Sequence, residues 1–185
     1  MNGIILAGGK SLRMGTDKGL LKLHGQKLVN ILADLLRPFV SDILIITSHP
    51  GYASLGYQVY SDLIPDKGPA GGILTGLHHS SENDNLILSC DTPFLTADFL
   101  KYLKDVSCGS PITVPVSNGQ VHPLCGVYSK SISSVWEEKV KAGELKLTVL
   151  LEAFKVQYVD TDMLPQFNSQ TLFRNLNTPE DLKGL

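Results

Sequence analysis

Apolar residues in this chain gather in short unbroken runs, separated by stretches rich in glycine, proline and polar side chains. Ile43-Leu44-Ile45-Ile46 and Leu86-Ile87-Leu88 show no alternation. A strand with one face in water alternates apolar and polar positions, whereas a continuous run suits a strand covered on both faces. The pattern predicts strands at 3–7, 42–47, 57–60, 85–89, 111–116, 121–128 and 155–159. Between them it predicts helices at 26–37, 70–79, 97–105, 130–142, 147–153 and 179–184. Alternating strands and helices imply an α/β fold: a three-layer α/β/α, Rossmann-like arrangement around a mostly parallel sheet with right-handed crossovers. Residues 116–121, Val-Ser-Asn-Gly-Gln-Val, read as a hairpin turn that adds late antiparallel pairing.

Local signals support the helix starts. Thr96 is placed to cap the helix that follows, with Phe99 and Leu103 four apart on one face. Thr178-Pro179-Glu180-Asp181 has a cap, a proline at the first helical position and acids in the first turn. Pro69 lies near the start of the 70–79 helix.

The length of 185 residues is that of one domain, expected to span 1–185. A net charge of −2 argues against nucleic-acid or membrane binding through a broad basic face, so any anion site must be local. Cys90, Cys108 and Cys125 lack C-x-x-C spacing, which disfavours a disulfide or zinc framework and fits a cytoplasmic protein. No signal peptide is evident, and no apolar run reaches the ~18 residues of a membrane span.

The most informative chemistry follows the first strand. Gly8-Gly9-Lys10-Ser11-Leu12-Arg13-Met14-Gly15-Thr16-Asp17-Lys18 is a glycine-rich basic loop. Gly8 and Gly9 let backbone N–H groups converge on an anion, and Arg13 and Lys18 add fixed positive charge. It is neither a P-loop, whose first glycine would fall at Ile4, nor a G-x-G-x-x-G dinucleotide loop. In open α/β sheets ligands sit beyond the carboxyl ends of the strands. That rule adds Thr47-Ser48-His49, Ser61-Asp62 and Cys90-Asp91-Thr92-Pro93 to the same edge. Asp91 could cap a turn through its own backbone; beside a phosphate loop it is also placed to hold Mg²⁺, which favours one or two carboxylates plus phosphate oxygens. Asp62 could accept hydrogen bonds from a base or ribose, or sit in a structural crossover. Lys18 could meet a transferring phosphate or simply be solvated. His122, before Pro123, could line a second pocket or be a bonded structural histidine. Asn175 and Asn177 could bind a polar ligand or make a turn. His78 and His79 read as solvent-facing or as dipole partners of a helix end, Cys90 as a small buried residue, and Trp136 as core or groove.

Leu6-Ala7-Gly8-Gly9-Lys10-Ser11-x-Arg13-Met14-Gly15-x-Asp17-Lys18 resembles the signature loop of the molybdenum cofactor guanylyltransferases. Gly68-Pro69-Ala70-Gly71-Gly72, Cys90-Asp91-Thr92-Pro93-Phe94, His122-Pro123 and Asn175-Leu176-Asn177-Thr178-Pro179-Glu180 resemble that family's later blocks, in order. The resemblance implies a nucleotide-diphospho-sugar-transferase fold, with GTP and molybdenum-molybdopterin as substrates and Mg²⁺ as cofactor. GMP would pass to the terminal phosphate of molybdopterin, releasing pyrophosphate. Leu6, Ala7, Gly8, Gly9, Lys18 and Asp62 would then bind GTP, Asp91 would bind GTP and metal, and Lys18, Arg13 and Asp91 would serve catalysis. His122, Asn175 and Asn177 would lie toward molybdopterin. Proteins that deliver the cofactor or receive it would be partners. The family can carry an asparagine at the end of the second strand; Ile46 stands there, followed by Thr47 and Ser48. The rivals are a molybdopterin cytidylyltransferase, a sugar-phosphate nucleotidyltransferase, and a non-catalytic nucleotide-binding adaptor on the same fold.

Overall fold

A computed structural model describes residues 1–8, 17–167 and 171–176 of the chain. The main strands are β1 (Asn2–Leu6), β4 (Ile43–Ile46), β5 (Gln58–Tyr60), β6 (Asp84–Ser89), β7 (Ile112–Ser117), β8 (Gln120–Val121), β9 (Cys125–Ser129) and β10 (Val156–Asp160). A separate small hairpin pairs β2 (Lys22–Leu23) with β3 (Gln26–Lys27). The helices are α1 (Leu28–Leu36), α2 (Gly68–His79), α3 (Ala97–Val106), α4 (Ser133–Lys141) and α5 (Leu147–Leu151).

The large sheet runs β10-β7-β9-β6-β1-β4-β5, with β8 attached to β7. β1 pairs in parallel with β4 and β6, β4 with β5, and β7 with β10. Only β9, antiparallel to both β6 and β7, and the short β8 run against the rest. The sheet is therefore mostly parallel, as the unbroken apolar runs imply.

Those runs alternate in space where they do not alternate in chemistry. Ile5, Ile45, Leu86 and Leu88 pack with Val29, Leu32 and Leu36 of α1 and Phe99, Leu100 and Leu103 of α3. Ile4, Leu6, Leu44, Ile46 and Ile87 face the other side, against Ile73, Leu74 and Leu77 of α2, Trp136 and Val140 of α4, and Leu150 and Leu151 of α5. Successive strand residues point to opposite faces, so an apolar run feeds two cores at once. This makes the three α/β/α layers.

Helix α2 packs closely on β1. A Cβ at Gly76 would come within 2.6 Å of Ile4, and one at Gly72 within 3.2 Å of Leu6. These two glycines, one helical turn apart, let the helix settle onto the strand that ends at the glycine loop. Trp136 is core: it is fully buried and its Nε1 donates to the carbonyl of Ala70 at 3.0 Å, fastening α4 to the start of α2. Thr96 caps α3 as expected, accepting from the Phe99 amide at 3.3 Å.

Several expectations need correction. The helix expected from 26 starts at Leu28, because Gln26 and Lys27 belong to the small hairpin. The 130–142 helix opens as a 3-10 turn, Lys130–Ile132, before α4. The strand expected at 121–128 is broken: after Val121 the chain turns through His122-Pro123-Leu124 and resumes as β9 at Cys125. Pro123 has no N–H for a ladder, while the His122 amide bonds the Pro115 carbonyl at 2.9 Å and the His122 carbonyl takes the Cys125 amide at 3.1 Å. The hairpin turn itself is where it was expected: Asn118 and Gly119 both have positive φ, 50° and 71°, between Ser117 and Gln120. The helix expected at 179–184 lies outside the described residues.

Candidate functional site

The carboxyl ends of β1, β4, β5 and β6 open onto one edge of the sheet, and there a groove of three connected parts is found. The largest is a cleft of about 530 Å³ lined by Leu6, Gly8, Ile46, Ser48, Asp62, Pro65, Asp66, Gly68, Pro69, Gly72, Ser89 and Leu124. Beside it, a cleft of about 210 Å³ is lined by Leu6, Ala7, Gly8, Asp17, Lys18, Gly19, Ser89, Cys90 and Asp91. A third, of about 160 Å³, has Asp91, Thr92, His122, Pro123, Leu124, Phe173 and Asn175 on its walls. Leu6, Gly8 and Ser89 are common to the first two, and Asp91 joins the second to the third.

Each wall has a local cause. Asp62 follows β5 and is held by the segment behind it. The Leu63 amide donates to Thr75 Oγ1 at 3.0 Å, and that hydroxyl donates to the Gly71 carbonyl at 2.8 Å. Asp62 is half-buried, and burial alone pushes its carboxyl above the usual carboxylate range. The end of β4 turns Ile46 toward the large cleft as an apolar wall. Thr47 is buried, its Oγ1 accepting the His49 amide at 3.2 Å, so Ser48 is the residue that brings a hydroxyl to the rim. The Ile46 departure thus gives a methyl surface with a serine next to it.

Lys18 opens a 3-10 turn, Lys18–Leu20, capped by Asp17, whose carboxylate accepts the Gly19 amide at 3.1 Å. The same carboxylate oxygen accepts a hydrogen bond from the buried Tyr52 hydroxyl. Asp91 leaves the end of β6 half-buried, and its backbone carbonyl accepts the Leu176 amide at 2.8 Å. That bond brings the 174–176 segment, with Asn175, against the site.

His122 is carried to the third cleft by the break between β8 and β9. Its ring stacks on Phe173, centroids 4.2 Å apart and planes 12° from parallel. Burial lowers its pKa, which favours the neutral imidazole at neutral pH. Cys90 is buried, as read, and burial, with Asp17 and Asp91 nearby, pushes its thiol far up, away from the thiolate. His78 and His79 lie in the last turn of α2, as read; His79 also stacks on Tyr60 at 3.9 Å, and burial, followed by His78 and Lys130, lowers its pKa.

Of the candidates, Leu6, Ala7, Gly8, Lys18, Asp62, Asp91, His122 and Asn175 all line this groove. Gly9, Arg13 and Asn177 lie outside the described residues. The strand-end rule had placed Ser48 on this edge, and it lines the large cleft. Asp66, Ser89 and Phe173 were not singled out. Ser89 could have been found by the same rule; Phe173 carried no signal, because only the tertiary stack gives it a place. Among the described residues no three metal-ligating side chains cluster. Asp91 is a single carboxylate at the cleft, and one carboxylate together with phosphate oxygens and water is a donor set that suits Mg²⁺.

A mostly parallel α/β/α sheet with such a groove at its carboxyl edge is the architecture of the nucleotide-diphospho-sugar transferases. A 4-diphosphocytidyl-2C-methyl-D-erythritol synthase from Anaerococcus prevotii superposes with a TM-score of 0.73 over 99% of this chain and 92% of its own, at 13% identity, a likeness of fold alone. The model of the MobA-like NTP transferase domain matches residues 3–157, and the chain belongs to that family of nucleotidyltransferases. A protein from Carboxydothermus hydrogenoformans named probable molybdenum cofactor guanylyltransferase is 35% identical over 182 residues, covering 98% of this chain and 92% of the relative. The crystal structure of molybdopterin-guanine dinucleotide biosynthesis protein A from Archaeoglobus fulgidus superposes with a TM-score of 0.82 at 26% identity, covering 100% of this chain and 96% of that one.

Proposed function

We propose that this nucleotidyltransferase moves GMP from GTP to the terminal phosphate of molybdenum-molybdopterin, releasing pyrophosphate with Mg²⁺ as cofactor. The observation that carries the reading is the continuity of the groove around Asp91 and Lys18. A cleft large enough for a nucleoside and a smaller basin with His122 and Asn175 both adjoin the cleft that holds that pair. Two substrates can therefore reach one charged centre from neighbouring clefts. The name of the relatives, probable molybdenum cofactor guanylyltransferase, supports GTP as the nucleotide.

In this reading an oxygen of the molybdopterin phosphate attacks the α-phosphorus of GTP. A new P–O bond forms as the bond to the bridging α–β oxygen breaks, and pyrophosphate carries away the electron pair. The nucleophile is already anionic, so no side-chain base is needed. The task is to bring two anions together. Lys18, Arg13 and loop N–H groups would reduce that repulsion and stabilise charge at phosphorus. Mg²⁺, held by Asp91, would supply further charge neutralisation on the phosphates. Asp62 and Ser48 would meet the nucleoside from the large cleft; His122, Asn175 and Asn177 would meet molybdopterin. Residues 1–185 would act as one domain.

The test is pyrophosphate release with molybdopterin, Mg²⁺ and, in turn, GTP, CTP, ATP or UTP. Turnover with GTP alone supports the reading. Turnover with CTP instead moves the chain to the cytidylyl enzymes, and no turnover with any favours a binding protein.

A further inference from the structure

Lys18 stands on a short 3-10 turn whose capping residue, Asp17, is bonded to a tyrosine far away in sequence. We propose that Tyr52 is a positioning residue for the transfer: its hydroxyl, donated to Asp17, pins the turn that presents Lys18 to the cleft beside Asp91. The inference rests on the reading that Lys18 meets the substrate phosphates.

Tyr52 lies far from Lys18 in sequence, in a 3-10 segment, Pro50–Leu55, that follows β4. It is fully buried on the α1/α3 side of the sheet, so the ring cannot drift. Its hydroxyl reaches Asp17 Oδ1, the oxygen that also accepts the Gly19 amide. One carboxylate oxygen thus ties the residue before Lys18 to the residue after it and to the core. The packing allows little slack. A Cβ at Gly19 would collide with the Tyr52 hydroxyl and stand 2.9 Å from Cys90 Sγ; one at Gly51 would stand 2.8 Å from Leu20. The Tyr52 segment is itself fixed, since His49 Nδ1 accepts the Gly51 amide at 3.0 Å. Burial, then Cys90 and Asp17, push the phenol far above its ordinary pKa. It therefore keeps its proton and remains a donor at every pH at which the protein would work.

A phosphate-binding lysine displaced by about 1 Å loses much of its effect on the transition state, since positioning is a large share of such catalysis. The test compares Tyr52→Phe, Asp17→Ala and Asp17→Asn, the last of which keeps an acceptor oxygen. Two quantities are read: kcat and KM for pyrophosphate release from GTP, and hydrogen exchange of residues 17–21 in the nucleotide-free protein. Tyr52→Phe and Asp17→Ala are expected to lower kcat about tenfold or more, with a smaller change in KM for GTP. Exchange at 17–21 should rise in both while α1 and α3 stay protected. Asp17→Asn should retain most of the rate, and the Tyr52→Phe/Asp17→Ala pair should be no worse than the poorer single variant. A merely structural tyrosine would lower the melting temperature with kcat unmoved, and that result, or unchanged exchange at 17–21, overturns the proposal. Should Tyr52→Phe fail to fold, Asp17→Ala, in a half-exposed turn, carries the same test. If the wild-type protein releases no pyrophosphate, it is the transfer reading that fails, and the exchange measurement still decides whether Tyr52 pins the turn.

Discussion

The two ends of the groove are built differently. Around Ile46 and Asp62 the walls are strand ends and the first turn of α2, seated on the core by Gly72 and Gly76. Around Lys18 and Asp91 loop residues join the strand ends, and hydrogen bonds from distant parts of the chain fasten those loops: Tyr52 to Asp17 and Leu176 to Asp91. A nucleoside is bulky and largely apolar in its faces, so a rigid, mostly carbon-walled cleft with a few polar groups suits it. Reacting phosphates need charge placed to a fraction of an ångström, and loops tethered from several directions supply it. The comparison predicts that damage at the charged end lowers kcat, whereas damage at the nucleoside end raises KM and blurs the choice of base.

The largest expected effect is at Asp91. Asp91→Ala should reduce kcat by about 10²- to 10³-fold or more with GTP binding partly kept, measured by steady-state pyrophosphate release and nucleotide titration. Wild-type turnover in that variant would remove the metal from this end. Lys18→Ala comes next, with a loss of about 10²-fold in kcat, and Lys18→Arg should recover part of it. Equal losses at KM and none at kcat would erase the distinction between the ends.

At the nucleoside end the effect should be smaller and of another kind. Asp62→Asn should raise KM for GTP roughly tenfold, with kcat less affected and discrimination against ATP weakened. The same substitution makes a stability prediction. Burial raises the folded-state pKa of Asp62, so the folded form prefers the protonated carboxyl. Its contribution to stability is then best below the unfolded carboxylate pKa and declines as pH rises through the raised folded value. Asp62→Asn should accordingly melt higher than wild type at pH 7, with the gain vanishing on acidification; a gain that persists at low pH would assign the effect to something other than charge. The smallest change is expected at His122, neutral and stacked on Phe173. His122→Ala should raise KM for molybdopterin several-fold and leave KM for GTP within about twofold, which kinetics with each substrate varied in turn would check.

The same contrast explains what sequence reasoning reached. Unbroken apolar runs at 43–46 and 86–88 announce buried parallel strands, and the strand-end rule then puts Asp62 and Asp91 on one edge. Both groups follow from periodicity and a general property of α/β sheets. Tyr52 does not, because nothing local distinguishes it from the core tyrosine Tyr128; only the packed structure points its hydroxyl at Asp17. The break at His122-Pro123-Leu124 was hidden for a related reason. The flanking residues are strand-like, and the apolar signal outweighed a single proline. Ser48 and Thr47 were equal candidates at the end of their strand, and only the structure separates them: Thr47 is turned inward by a bond to the next turn, while Ser48 reaches the cleft.

The antiparallel strand β9 has a consequence for the order in which the chain can assemble. As the polypeptide leaves the ribosome, β1, β4, β5 and β6 can pair with α1 to α3 packed over them, giving half a sheet with β6 as its open border. β7 is synthesised next but does not abut β6; that berth belongs to β9, made later. Until residues 125–129 emerge, the apolar border Leu86-Ile87-Leu88 has no partner, the kind of exposed edge on which nascent chains aggregate. Newly made chains stalled between β7 and β9 should therefore bind holdase chaperones most strongly, and that affinity should fall once Cys125–Ser129 closes the gap.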